Sequence, residues 1–190
     1  MANGLVLPEV PVFFATSEGQ TQRIAERLAA ALRRNGLESL AVDVGEVKRV
    51  ALDWRAVRGA VVGASIHVGK HQRDAHAFVS SHAPRLNALP SLFYSVSLAA
   101  ASQNGEDVRK AQEIANAFPA ANGWRPEAVI SLAGRLAYSQ YNFLVRMIMK
   151  RIARKEGAPV DTTRDYEFTN WTRVEELARE FAARVRTRAA

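Results

Sequence analysis

The sequence predicts a doubly wound α/β fold: one five-stranded parallel sheet covered by helices on both faces, in a single domain over residues 1–190. Two observations carry this. Short, almost wholly apolar runs alternate with longer segments of helical period, as expected of strands buried on both faces. The first run also ends in a hydroxyl- and glycine-bearing loop, Thr16-Ser17-Glu18-Gly19-Gln20-Thr21, which leads straight into a helical pattern. Such a loop presents backbone N–H groups and the positive end of a helix at one point, so its natural occupant is an anion.

Strands are expected near Val10 to Ala15, Leu40 to Val44, Ala60 to Ala64, Leu92 to Ser97 and Val129 to Ala133. After the first, Ile24, Leu28 and Leu32 recur at helical spacing, and Asn35-Gly36 supplies a C-terminal stop. A second helix is expected from Asp74 to His82, ending ahead of Pro84, and a third from about Glu106 to Phe118, closed by Pro119. The last begins at Thr169 or Asn170 as cap and places Trp171, Val174, Ala178, Phe181 and Val185 on one face. Residues 1–9 form an extension expected to fray.

Residues 135–165 break the alternation, because they follow the fifth strand yet precede the last helix by more than an ordinary connection. They read as a helical insertion after or within the last strand. Tyr141, Leu144, Val145, Ile148, Met149 and Ile152 form an apolar stripe, and Arg146, Lys150 and Arg154 a basic one at four-residue spacing. The chain carries 26 basic and 19 acidic side chains, a net charge of +7. Arg135, Arg146, Lys150, Arg151, Arg154 and Lys155 lie between 135 and 155 with no acidic residue among them, so one segment holds nearly all the excess.

There is no cysteine, which excludes thiol catalysis, Cys-ligated zinc and iron–sulfur clusters, so electron transfer would need an organic cofactor. The N-terminus lacks the pattern of a secretory signal and no apolar run approaches a bilayer span, so a cytoplasmic protein is expected. His67, His71, His76 and His82 share no reliable helix face, and no metal is expected there. Trp124 and Trp171 are expected to pack at element boundaries.

Ligands of open parallel sheets bind beyond the carboxyl ends of the strands. Besides Thr16 to Thr21, these ends give Ala64-Ser65-Ile66-His67-Val68-Gly69 and Ser97-Leu98-Ala99-Ala100-Ala101-Ser102, small or glycine-punctuated as a flat ligand requires. No Gly-Lys-Ser/Thr completes a Walker loop, and Gly19 alone cannot make a dinucleotide turn. Thr16 and Ser65 stand where a phospho-acceptor domain needs acids. Gly63-Ala64-Ser65-Ile66-His67 has His where a nucleophile elbow needs Gly.

The order of elements, the first loop and the late insertion resemble flavodoxins. Val62-Gly63-Ala64-Ser65-Ile66, Phe93-Tyr94-Ser95-Val96, Trp124-Arg125-Pro126, Ala133-Gly134 with Leu136, and Thr169 with Trp171 are similar in order to the quinone-dependent protoporphyrinogen oxidase family of the flavodoxin superfamily. The resemblance runs from about Pro11 to Phe181 and implies the strand order 2-1-3-4-5 and an FMN cofactor. By position, it implies that Thr16, Ser17, Glu18, Gly19, Gln20 and Thr21 hold the phosphate, and that Ser65, Ile66, His67, Val68 and Gly69 flank the isoalloxazine opposite Ser97, Leu98, Ala99, Ala100 and Ala101.

It further implies oxidation of protoporphyrinogen IX, in haem biosynthesis, with menaquinone or ubiquinone as acceptor. Relatives commonly have a basic-aromatic pair where this chain has His67-Val68, so aromatic cover would fall to Tyr138 or Tyr141, or the ring stays more exposed. His67 and His71 are placed to touch flavin or substrate. Arg135 and Arg146 are the expected propionate contacts. The basic stripe otherwise reads as a solvated face, or as a peripheral contact with an anionic membrane surface, which the amphipathic pattern favours. Nucleic acid is not expected, as no recognised binding module is present. Self-association is left open, and no side chain stands out as an obligatory acid or base. A flavodoxin-type electron carrier, another FMN-dependent quinone reductase, and a cofactor-free binding module are the alternatives; carriers are usually acidic, unlike this chain.

Overall fold

The computed structural model describes residues 4–136, 138 and 161–189. In chain order the strands are β1 (Leu5–Val6), β2 (Val10–Ala15), β3 (Ser39–Asp43), β4 (Leu52–Asp53), β5 (Ala60–His67), β6 (Lys70–His71), β7 (Ser91–Ser97), β8 (Ala128–Ala133), β9 (Arg135–Leu136) and β10 (Tyr166–Glu167). The described helices are α1 (Gln20–Arg34), α2 (Val44–Val47), α3 (Arg73–Asn87), α4 (Gly105–Ala121) and α5 (Trp171–Ala189). Five strands form a parallel sheet in the order β3-β2-β5-β7-β8, which is the expected 2-1-3-4-5.

Every residue of β2 is buried because both faces are covered. Val12 and Phe14 join one core with Ile24, Leu28 and Leu32 of α1 and Val174, Phe181 and Val185 of α5. Phe13 and Ala15 point the other way, into a second core with Phe78 and Val79 of α3 and Phe118 of α4. The period-2 alternation thus feeds two cores from one strand. Helix α1 stops as expected: Asn35 Nδ2 donates to the Ala31 carbonyl at 2.8 Å, and Gly36 takes φ +76°.

Two helix ends differ from expectation. Pro84 lies inside α3, and α4 runs through Pro119 to Ala121. A proline deletes one hydrogen bond, but Ala83 and Leu86 in α3 and Phe118 in α4 are buried against the sheet, so packing carries each helix past it. The extension does not fray over Leu5–Val6. It pairs in parallel with Leu52–Asp53, the Leu5 N–H donates to the Ala51 carbonyl at 2.8 Å, and Leu7 is buried.

Only the base of the insertion is described, as an antiparallel ribbon pairing Leu136 with Tyr166 and Arg135 with Glu167. The expected amphipathic helix, with Tyr141, Arg146, Lys150 and Arg154, lies outside the described residues. Tyr138 is fully buried and edge-on to Tyr166, so it is not a free aromatic cover.

Candidate functional site

Strands β2, β5 and β7 are adjacent, so the three loops singled out in the sequence meet at one edge of the sheet. In the first, Thr16 Oγ1 accepts from the Gly19 N–H at 2.9 Å and folds the chain into a tight turn. Gly19 caps α1 with φ +79°, a conformation costly for residues with a Cβ. No atom lies within 4 Å of where its Cβ would stand, so backbone geometry rather than crowding requires glycine. The Gly19 carbonyl first accepts from Arg23, which leaves the amides of Gln20, Thr21 and Gln22 without an intrahelical acceptor. No acidic residue sits in the first turn of α1 to offset its positive end.

The side chains of this segment divide. Gln20 is buried and turned away from the loop: its Nε2 donates to Glu167 Oε1 and Thr169 Oγ1, each at 2.8 Å, while its Oε1 accepts from Arg23. Only its backbone is left for an anion. Arg23 also pairs with Glu167 at 2.8 Å, so the insertion's base is bolted to the first turn of α1. The Thr21 side chain is fully buried, and its Oγ1 has no partner among the described residues.

The second loop, expected to begin after a strand that ends at Ala64, is a β-hairpin. Strand β5 runs on through Ser65 and Ile66 to His67, and β6 returns antiparallel, pairing Ile66 with His71 and His67 with Lys70. Val68 and Gly69 make the two-residue turn at φ +48° and +73°, the positive pair that marks type I′. Positive φ is a strained state for a β-branched residue, yet Val68 stands 91% exposed at the tip. Gln72, which sequence reasoning missed, hydrogen-bonds through Nε2 to Ser65 Oγ and, at 3.3 Å, to Ser17 Oγ. It ties the hairpin's base to the first loop, and no local pattern announces it.

The third loop continues β7 into a single 3-10 turn, Ala99–Ala101, with Ser97 Oγ accepting from the Ala100 N–H at 3.1 Å. Leu98 and the three alanines are half-buried, leaving a low wall of small groups. The Gly134 N–H donates to the Ser97 carbonyl at 3.0 Å, so this wall also joins the insertion's base.

Charge around the site is mostly paired. Arg135 is only 18% exposed and lies 3.9 Å from Asp165, and its Nε has no partner among the described residues. Its expected propionate partner, Arg146, lies outside the described residues. His71 is buried rather than placed for substrate: Nε2 sits 2.9 Å from Ser95 Oγ, and the ring packs against Phe93 and Phe118. Burial, with a smaller push from His76, lowers its pKa to about 4, so it is neutral at physiological pH. No group of side chains among the described residues could hold a metal ion. A groove of about 490 Å³ lies along α1 and α5, lined by Arg23, Glu26, Arg27, Ala30 and Trp171, not over the three loops.

Residues 11–163 match the flavodoxin domain family. The chain is 35% identical over 172 residues to protoporphyrinogen IX dehydrogenase (quinone) of Escherichia coli K12, covering 90% of this chain and 93% of that protein. The chain belongs to the flavodoxin-like, quinone-dependent protoporphyrinogen IX dehydrogenase family. The fold of this dehydrogenase family also appears in a flavodoxin from the domain Archaea, with TM-score 0.52, 12% identity, and 93% and 98% of the two chains covered. Rubredoxin:oxygen oxidoreductase from Desulfovibrio gigas overlays with TM-score 0.55 and 10% identity over 95% of this chain, which spans only 37% of that protein.

The family is one of flavodoxin-domain oxidoreductases, and FMN is its cofactor. The first loop fits the phosphate of that flavin. Its left-handed glycine faces open space, three first-turn amides lack intrahelical acceptors, and a buried threonine hydroxyl lacks a partner.

Proposed function

We propose that the chain oxidises protoporphyrinogen IX to protoporphyrin IX in haem biosynthesis, with menaquinone or ubiquinone as acceptor. When bound, FMN supplies the chemistry that links porphyrinogen oxidation to quinone reduction. The amides of Gln20, Thr21 and Gln22, with Thr16, Ser17, Glu18 and Gly19, hold the phosphate. The hairpin Ser65 to Gly69 and the wall Ser97 to Ala101 flank the ring. Arg135 and Arg146 meet the propionates, the former in exchange for its long contact with Asp165. The segment from Arg135 to Lys155, with six basic and no acidic side chains, rests peripherally on an anionic membrane surface where quinone is dissolved. Among the described residues no helix is long and apolar enough to cross a membrane.

The observation that carries this reading is the meeting of the anion cradle, the hairpin and the small-residue wall at three adjacent strand ends, beside the insertion's base. Purified protein is expected to be yellow and to release FMN on denaturation. Anaerobic mixing with protoporphyrinogen IX and a menaquinone analogue is expected to yield fluorescent protoporphyrin IX. Colourless protein that refuses added FMN would overturn the reading, and yellow protein without porphyrinogen turnover would make it an electron carrier.

A further inference from the structure

Tyr94, at the middle of β7, is fully buried and lies beside Gly63 of β5 in the parallel register. Its side chain does not stay over its own strand. It crosses β5, and its hydroxyl donates to the Thr21 carbonyl at 3.0 Å, in the first turn of α1. Neighbouring strands stand about 4.8 Å apart, so a phenol can bridge one strand only where that strand offers no side chain. Gly63 provides the gap, because a Cβ there would overlap the ring and hydroxyl of Tyr94. Burial pushes the phenol's pKa well above its ordinary value, so the hydroxyl remains a donor at any ordinary pH.

Thr21 carries one of the three amides without an intrahelical acceptor, and its own buried hydroxyl has no partner among the described residues. We infer that Tyr94 is a positioning residue for cofactor binding: a strut from the centre of the sheet that fixes the first turn of α1, so that the amides of Gln20, Thr21 and Gln22 stay aimed at the FMN phosphate. This rests on the flavin reading above. The strut acts at the phosphate end and makes no demand on the ring.

The test is Tyr94→Phe, which deletes one hydroxyl and keeps the ring that fills the core. Apo-protein, parent and variant, is titrated with FMN and with riboflavin, which lacks the phosphate, and flavin fluorescence is followed. The expected result is a roughly three- to tenfold loss of FMN affinity, the net worth of one buried hydrogen bond, with riboflavin affinity unchanged within about twofold. The two flavins are titrated into separate aliquots of one preparation, so their affinity ratio holds even if the variant is partly unfolded. Equal losses for both flavins would make Tyr94 merely structural and overturn the inference, as would unchanged FMN binding. A parent protein that binds neither flavin would overturn the cofactor reading itself.

Discussion

Replacing Val68 by Asn should make the protein more stable, although Val68 sits at the edge of the proposed ring site. Val68 holds φ +48° in a turn where Gly69 follows at +73°. The left-handed region costs an ordinary L-residue about 1–2 kcal/mol, whereas Asn enters it readily, and Asn-Gly is the preferred pair for a type I′ hairpin. Because Val68 is 91% exposed, the exchange gives up almost no buried apolar surface. The expected net gain is about 1 kcal/mol, or about 2–4 °C in Tm for a chain of 190 residues. Thermal melts of apo-protein followed by circular dichroism, with a urea titration to confirm an unchanged m value, measure it. V68N melting at or below the parent would refute the claim that this turn is strained. An exposed valine kept in a costly conformation is best accounted for by contact with a ligand, so the same variant is expected to lower kcat/KM while it raises Tm.

Two further outcomes follow from buried contacts. Gly63→Ala would force a methyl into the Tyr94 ring inside a strand paired on both sides, and should cost about 1–3 kcal/mol, read as a Tm drop of about 2–12 °C; in a Tyr94→Ala background, itself destabilised, the same substitution should cost much less. His71 titrates near 6.5 when unfolded and at about 4 when folded, so between those values the unfolded chain binds the extra proton. Its contribution to stability is therefore intact above pH 6.5 and lost as pH falls towards 4, by up to about 3 kcal/mol. Urea midpoints across that range should fall in the parent and flatten in His71→Asn.

What could be read from the chain divides by the range of the forces involved. The run Val10–Ala15 was legible to the residue because burial on both faces leaves no polar position to blur its ends. The stop at Asn35-Gly36 was legible because capping is local chemistry. Pro84 and Pro119 misled because a local rule about one missing N–H lost to the burial of Ala83, Leu86 and Phe118. Strand β1 was invisible: two residues have no period, and its partner lies at Leu52–Asp53. At the site, Thr16 and Gly19 act through their own backbone and could be picked out. The side chain of Gln20 depends on Glu167, 147 positions away, and Gln72 acts by spanning two loops, so neither role leaves a mark on neighbouring sequence. The hairpin at Val68-Gly69 was hidden because valine is among the last residues expected at a positive φ.

The clamp on Gln20 also bears on the order in which the molecule is made. The cradle's loop and helix, which end at Arg34, are synthesised before the groups that hold that helix in place. Those groups, Glu167, Thr169 and the apolar face of α5, come much later, Glu167 lying 147 positions beyond Gln20. A nascent chain can therefore carry every residue of the anion cradle long before anything fixes its aim, and the part of the site that is synthesised first is finished last.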